Sequence, residues 1–115
     1  MQHKDLQIDK KTTRIYELIF KDLVNGGYED ITDWSIYFTA KINMNDPDAS
    51  AVISKTITTH SDPTNGTTLI TLEPTDTDLD AGNYYYDIGF KDDELQEGVL
   101  IQGKLKIIET VRKTR

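Results

Sequence analysis

The sequence contains no cysteine among its 115 residues. Neither a disulfide nor a catalytic thiolate is therefore available, and thiol chemistry is excluded. If the chain forms two sheets, packing alone must hold them together, without the bridge that joins the sheets of antibody domains. The absence of cysteine is also compatible with assembly in a reducing cytoplasm.

Long apolar segments are missing as well. The residues that follow Met1, QHKDLQIDKK, are polar and lack the apolar centre of a signal peptide. No window of the sequence approaches the roughly 20 consecutive apolar residues that span a bilayer. We therefore expect no membrane partner and a chain that is intracellular when made, or else is exported without a classical signal.

Residues suited to acid–base or nucleophilic catalysis are few. The two histidines, His3 and His60, lie in a polar N-terminal segment and at the start of a polar loop. None of the four serines is in a glycine-flanked nucleophile elbow, and the GxxxxGK[ST] pattern of phosphate-binding loops is absent. A catalytic histidine needs a nucleophile or a carboxylate within fixed reach. We expect a protein that is not an enzyme and has no cofactor.

Charge is abundant but unevenly distributed. The formal net charge is −7, although residues 1–14 carry +2 and residues 104–115 carry +4, so residues 15–103 hold −13. An acidic body repels phosphates, which argues against nucleic acid as a partner. Two interpretations of the basic ends stay open. They are solubilising tails, or they make head-to-tail contacts between the basic terminus of one copy and the acidic face of the next.

The apolar pattern predicts β-strands. The clearest alternation covers residues 34–44, where every second residue is apolar. Trp34, at its start, is predicted to be the central aromatic residue of the core. Gly103 is expected to produce a bulge or kink in the last strand. Turn-forming residues separate the predicted strands, which cover residues 6–8, 14–20, 34–44, 51–59, 67–73, 84–90 and 99–111.

Residues 71–90, TLEPTDTDLDAGNYYYDIGF, carry the pattern of the E–F corner of immunoglobulin-like sandwiches. Leu79 is the apolar plug of the loop, Gly82 follows it, and a strand then leaves with Tyr84 on its inward face. The Tyr84 hydroxyl is expected to bond the backbone of the Leu79 loop. Tyr85 is the alternative if the register shifts by one residue.

About seven strands, no convincing amphipathic helix and this corner together predict an all-β fold, an immunoglobulin-like antiparallel β-sandwich. No repeat, linker or low-complexity tract divides the chain. We therefore expect a single domain over residues 1–115 with short basic N- and C-terminal tails.

Aspartates in the corner come nearest to a metal-ligand pattern. Asp76, Asp78 and Asp80, with Asp87, occupy positions 1, 3, 5 and 12 of a twelve-residue window, as the ligands of an EF-hand loop do. Glycine falls at the seventh place instead of the sixth, and the tyrosine run predicts a strand where a helix should begin. Capping of loop amides by these aspartates is the competing interpretation.

A carbohydrate-binding platform would show two or more exposed aromatic residues on one sheet face. Tyr37 and Tyr85 are the outward-facing candidates in the predicted strands.

Three stretches of the sequence, residues 30–42 (DITDWSIYFTAKI), 74–88 (PTDTDLDAGNYYYDI) and 98–111 (GVLIQGKLKIIETV), resemble small immunoglobulin-like domains of tailed-phage virions. The chain is similar, over residues 5–110, to the N-terminal domain of phage baseplate upper proteins and to related head or tail accessory modules. Those baseplate proteins continue into helices and a receptor-protein docking region, whereas this sequence stops at Arg115. A head or tail accessory protein is therefore the expectation.

The resemblance implies a bacteriophage virion structural protein, a scaffolding or docking unit without an active site. It would be made in the host cytoplasm and located in the virion. Its partners would be other virion proteins and copies of itself, and it would be oligomeric in the assembled particle. The alternatives left open are a sandwich that binds carbohydrate or calcium, and a host-takeover or enzyme-inhibitor protein.

Basic residues near the C-terminus are candidates for assembly contacts. The first and last strands are expected to be sheet edges, which invite strand addition by a neighbouring subunit. Lysines on the last strand would equally guard such an edge against pairing. The candidate assembly residues are Lys104, Lys106, Arg112, Lys113 and Arg115.

Overall fold

The computed structural model describes residues 2–22 and 24–109, which form β-strands joined by turns. Two single-turn 3₁₀ helices lie at Asp48–Ser50 and Pro63–Asn65. No helix in this described part of the chain has the length and apolarity that a membrane crossing requires. The strands are β1 (Gln2–His3), β2 (Leu6–Asp9), β3 (Arg14–Ile19), β4 (Ser35–Lys41), β5 (Ile53–Ile57), β6 (Thr67–Leu72), β7 (Gly82–Lys91) and β8 (Glu97–Ile108).

The strands form two sheets. The larger sheet has the order β1-β8-β7-β4-β5, and β2 also pairs with β8. The smaller sheet is an antiparallel pair of β3 and β6. The all-β sandwich predicted from the sequence is confirmed. Its larger sheet is mixed instead of purely antiparallel, because β1 and β2 run parallel to β8.

Lys4 and Asp5 divide the N-terminal strand into two short pieces and hold both against β8. The Asp5 carboxylate accepts a hydrogen bond from the Lys104 amide at 3.0 Å. A side chain at Gly103 would collide with the Lys4 carbonyl, so glycine here permits close approach of the two backbones. The bulge of the last strand is not at Gly103. The register of β7 with β8 shifts between Ile88 and Gly89, where Leu100 of β8 is the extra residue.

The core lies between the inward faces of the two sheets. Alternation along β4 buries Ile36, Phe38 and Ala40 completely. The Phe38 ring stacks on the Tyr86 ring, with centroids 5.5 Å apart. Full burial of one large apolar side chain is worth about 1.5–3 kcal/mol. The remaining members of the buried cluster are Ile8, Ile53, Ile70, Leu72, Tyr84, Ile88, Leu105 and Ile107.

Trp34 is not the central aromatic residue of the core, which corrects the prediction from the sequence. Its side chain is half-buried and packs edge-on against Phe20 at 5.5 Å and face-on against Phe90 at 5.4 Å. The reason is the true extent of the strand. β4 begins at Ser35, so Trp34 precedes it, and Phe38 occupies the central position.

The other end of the predicted strand is also shorter than expected. β4 ends at Lys41, and the chain then turns, with the Asp46 amide donating to the Asn43 carbonyl at 3.1 Å. Ile42 and Met44 are consequently exposed instead of buried. The alternation of apolar residues continues beyond the end of β4, because Ile42 and Met44 in the following turn keep the two-residue spacing of the strand.

The last strand is not a sheet edge, contrary to the expectation. β8 pairs with β7 on one side and with β1 and β2 on the other. In the larger sheet, β5 pairs with β4 alone. In the smaller sheet, β3 and β6 pair only with each other over the described residues.

Candidate functional site

The loop before β7 has the geometry of a tyrosine corner. The Tyr84 hydroxyl donates a hydrogen bond to the Asp80 carbonyl at 2.7 Å, and Leu79 packs against the core. Gly82 begins β7 with a φ of 150°, in a region that favours glycine. Burial, with a smaller contribution from the Asp80 charge, raises the pKa of the Tyr84 phenol, which keeps the donor protonated. These residues therefore have a structural role.

A buried threonine ties the same corner to the loop between β2 and β3. The Thr77 hydroxyl donates to the Thr12 carbonyl at 2.8 Å and accepts from the Thr12 amide at 2.9 Å. The contact joins residues 65 positions apart in the sequence. No local pattern signals such a pairing, and the sequence analysis did not find it.

The aspartates of the corner are not brought together. Asp76 forms an ion pair with Lys55 at 2.8 Å and caps the Glu73 amide. Asp78 lies 4.0 Å from Lys10. Over residues 2–22 and 24–109, no three acidic or histidine side chains are grouped as metal ligands would be. The candidate metal site at Asp76, Asp78 and Asp80 is therefore not formed, and loop capping is the better interpretation.

His60 is hydrogen-bonded through both ring nitrogens, although the sequence places it at the start of a polar loop. One ring nitrogen lies 2.8 Å from the Thr68 hydroxyl and the other lies 2.8 Å from the Trp34 carbonyl. Since both nitrogens are occupied, the imidazole joins β6 to the start of β4. The contacts give the imidazole a structural role as a link between the two sheets.

The outward face of the larger sheet forms an open cavity of about 610 Å³, which we call the outer cavity. Its centre lies on β4 and β7, where Tyr37 pairs with Gly89 and Thr39 pairs with Asp87. Because Gly89 has no side chain, the face is hollow beside the Tyr37 ring. The other lining residues are Lys41, Asp48, Ser54, Thr56, Phe90, Glu97, Gly98 and Val99.

The charges of the outer cavity are only partly compensated. The Lys41 ammonium donates to the Asp48 carboxylate at 2.7 Å and to the Asp46 carbonyl at 2.8 Å. The carboxylates of Asp87 and Glu97 form no hydrogen bond or ion pair with the described residues, although both backbones are paired in the sheet. Burial raises the pKa of Asp87, and this effect exceeds the opposite one of the nearby Lys41 charge.

The two tyrosines considered for carbohydrate binding share this face. Tyr37 lines the outer cavity, and Tyr85 lines a smaller adjoining hollow with Asp87 and Gln102. In the β4–β7 ladder, Tyr37 stands opposite Gly89 and Tyr85 opposite Lys41, with the Thr39–Asp87 pair between them. The rings are therefore placed diagonally and are separated by a charged row.

The smaller sheet exposes an apolar face and an open edge. Ile15 is 60% exposed, Ile19 49% and Leu69 38%, and all three lie on its outward face. The sequence of β6, TTLITL, contains no charge and no proline. On the side away from β3, the described backbone pairing of β6 is limited to the bridge between Asp62 and Thr67. We call the remainder of this side the open edge of β6.

The basic residues proposed for assembly are only partly within the described chain. Lys104 and Lys106 are exposed on β8, in the interior of the larger sheet. They do not guard an edge, because β2 already pairs with β8 at this level. Arg112, Lys113 and Arg115 lie outside the described residues.

No protein-family model matches the chain, and no curated protein matches it. Among solved structures, the PmoD soluble domain from Methylocystis sp. ATCC 49242 (Rockwell) is similar over 89% of this chain and 77% of its own. Its sequence identity is 12% and its TM-score 0.48. The NK cell receptor Nkp44, described as a triggering partner in natural cytotoxicity, is similar over 96% of this chain and 100% of its own. Its identity is 13% and its TM-score 0.48.

Proposed function

We propose that this chain is a non-enzymatic structural protein of a tailed-phage virion, a head or tail accessory module that acts through protein–protein assembly. Its partners are copies of itself and other virion proteins. The observation that carries the assembly role is the open edge of β6 beside the exposed apolar face of the smaller sheet. The virion context rests on the sequence resemblance alone.

The open edge has the properties of a strand that accepts a partner strand. Natural proteins protect exposed edges with lysine, proline or bulges, because unpaired amides and carbonyls bind other strands. Residues Thr67–Leu72 contain none of these, and the residues themselves have high β-propensity. A two-stranded sheet is also smaller than the three strands usually needed for independent stability. Strand addition by a second copy would enlarge the sheet and cover its edge.

The outward residues of the smaller sheet extend the same surface. Leu69 on β6 stands opposite Glu17 on β3, and Ile15 and Ile19 occupy the two diagonal positions. Each of the three apolar side chains exposes a large part of its surface. An apolar patch next to an open edge favours burial by a protein partner over exposure to water.

The assembly role is tested by light scattering after size exclusion, on the full-length protein over a wide range of concentrations. We expect the mass of the wild type to rise with concentration. Leu69→Lys places a charge on the exposed face and is expected to weaken association at least tenfold. Val24→Lys is the matched control, because Val24 is 91% exposed in the turn that follows β3 and belongs to neither strand of the smaller sheet. A wild type that is monomeric throughout, or a Leu69→Lys variant that associates normally, would contradict the proposal.

The virion context is tested separately. A tagged copy expressed in cells that produce the encoding phage is expected to sediment with purified particles. A chain that stays entirely in the soluble fraction of the gradient would contradict the virion role while leaving the assembly result intact.

Carbohydrate binding is the second candidate function. The observation in its favour is the placement of Tyr37 and Tyr85 on one outward face. Titration with oligosaccharides, followed by tyrosine resonances in NMR spectra, separates the two candidates. Saturable shifts at both tyrosines would favour a sugar-binding module.

A further inference from the structure

The N-terminal strands shield one side of β8. β1 pairs in parallel with residues 101–102 and β2 with residues 105–108. We call residues 2–10, which contain both strands, the N-terminal cover. β8 has 12 residues and is the longest strand of the described chain, and without this cover it would be an edge of the larger sheet. A long exposed edge is a template for the addition of another strand.

The cover stays bonded to β8 even where its two strands are interrupted. The Lys4 amide donates to the Gln102 carbonyl at 3.1 Å, and the Asp5 carboxylate accepts from the Lys104 amide at 3.0 Å. The buried Tyr86 hydroxyl donates to the Lys4 carbonyl, and burial raises the pKa of this phenol to about 12, which keeps the donor protonated. Side chains therefore supply the bonds that the interrupted ladder lacks.

The crossover from the cover to β3, residues 11–13, is fixed by one fully buried residue. The Thr77 hydroxyl donates to the Thr12 carbonyl at 2.8 Å and accepts from the Thr12 amide at 2.9 Å. The Thr77 carbonyl accepts from the Lys11 amide at 3.3 Å. Lys11 has a φ of 57°, in the left-handed region that residues other than glycine rarely adopt. The bonds to Thr77 offset the strain of this turn.

The crossover has a large influence on how often the cover opens. β1 has two residues and β2 has four, and parallel pairing is slightly less stable per residue than antiparallel pairing. Chain ends with few contacts open locally unless they are tied down. Ile8 is the fully buried side chain of the cover, so opening removes one core residue and breaks the crossover bonds.

We propose that the N-terminal cover blocks strand addition at β8, and that Thr77 is the clamp that keeps the cover closed. The inference rests on the assembly function and concerns its regulation, because a closed cover confines strand addition to the open edge of β6. Release of the cover exposes amides and carbonyls of β8, and this edge then accepts a strand from another molecule.

The clamp is tested with Thr77→Val, which keeps the shape of the side chain and removes its hydroxyl. The amides of Lys4, Lys10 and Lys104 donate across the boundary between the cover and β8, so their hydrogen–deuterium exchange reports opening. We expect these amides to exchange at least tenfold faster in the variant, since the crossover loses two hydrogen bonds. Exchange at the wild-type rate would overturn the role of Thr77.

Two further substitutions separate the clamp from a general loss of packing. Thr77→Ser keeps the hydroxyl and is expected to exchange like the wild type. Thr68→Val is the matched control, because Thr68 is also fully buried but its hydroxyl contacts His60 instead of the crossover. Faster exchange of the cover amides in Thr68→Val, equal to that in Thr77→Val, would contradict a specific clamp.

A second route to opening avoids the core. Asp5 is exposed, and Asp5→Ala removes the acceptor of the Lys104 amide without emptying a buried site. We expect faster exchange at Lys4 as well as at Lys104, because the break in the cover is then held by fewer bonds. Asp93→Ala, in the exposed turn between β7 and β8, is the matched control. An unchanged Lys4 amide would contradict the role of Asp5 in closing the cover.

The blocking role is tested by light scattering after size exclusion, on full-length protein. Leu69→Lys weakens association through β6, and addition of Thr77→Val to this variant is expected to restore concentration-dependent association through β8. Asp5→Ala added to Leu69→Lys is expected to do the same. Faster exchange of the cover amides with no gain in association would overturn the blocking role.

These outcomes are distinguishable from failure of the assembly function. A wild type that stays monomeric at every concentration would remove assembly at β6, whatever the cover does. A wild type that associates through Leu69, together with double variants that open at β8 and stay monomeric, would retain the assembly function and remove the regulation by the cover.

Discussion

Phe38 has the largest fully buried side chain among the described residues. Its side chain is fully buried and stacks on Tyr86 with a centroid distance of 5.5 Å. Truncation of a buried phenylalanine to alanine costs about 3–5 kcal/mol, because transfer energy is lost and a cavity remains. The lost ring pair accounts for about 0.5–1.5 kcal/mol of this. The free energy of unfolding of a small domain is about 5–15 kcal/mol, so Phe38→Ala should remove a large share of the stability.

The assay is urea unfolding followed by tryptophan fluorescence. Trp34 is the single tryptophan, and its ring contacts Phe20 and Phe90. Its emission therefore reports on the folded sandwich, and the substitution at Phe38 does not alter the fluorophore or these two ring contacts. With a slope of about 1–3 kcal/mol per molar urea, the midpoint should fall by at least about 1 M while the slope is unchanged. Ile42→Ala is the control, because Ile42 is exposed, and should change stability by no more than about 0.5 kcal/mol. A loss below about 1 kcal/mol for Phe38→Ala would refute the assignment of the core.

Three further predictions concern stability, the first two by the same urea unfolding assay and the third by thermal unfolding. Tyr84→Phe removes the hydrogen bond to the Asp80 carbonyl and should cost about 0.5–1.5 kcal/mol, whereas no change would mean that the corner is not closed in solution. Gly103→Ala should destabilise the protein by about 1–3 kcal/mol, because the new methyl group collides with the Lys4 carbonyl; a neutral result would contradict the parallel pairing of the N-terminal strand. Asp87→Asn should raise the melting temperature at pH 7. Burial raises the pKa of Asp87, so the penalty of its charge is absent below the unfolded pKa of about 3.9 and develops as pH rises through the folded pKa. A gain that persists unchanged below pH 3.5 would contradict this origin.

Local patterns in the sequence predicted the parts of the fold that depend on local contacts. The alternation in residues 34–44 located β4, since a strand with one buried face repeats every two residues. The Leu79, Gly82 and Tyr84 pattern located the corner, because the hydroxyl bonds a carbonyl only four residues away. Each of these features is encoded within a short window.

Features that depend on distant residues were missed. The parallel pairing of β2 with β8 joins residues about 99 positions apart, as in the Leu6–Leu105 pair, and no local signal accompanies it. Trp34 was misplaced because the alternation does not reveal where a strand begins. The Asp87 charge looked ordinary in the sequence, and only the fold places it in a hollow beside Gly89.

The measurement that tests the account most directly is hydrogen–deuterium exchange of β6 at low and high protein concentration. The open edge predicts that amides of Thr67–Leu72 facing away from β3 exchange quickly in dilute protein. They should become protected as association proceeds, and the Leu69→Lys variant should not gain that protection. Exchange of β6 that is the same at every concentration, while the protein demonstrably associates, would place the assembly surface elsewhere and contradict the account.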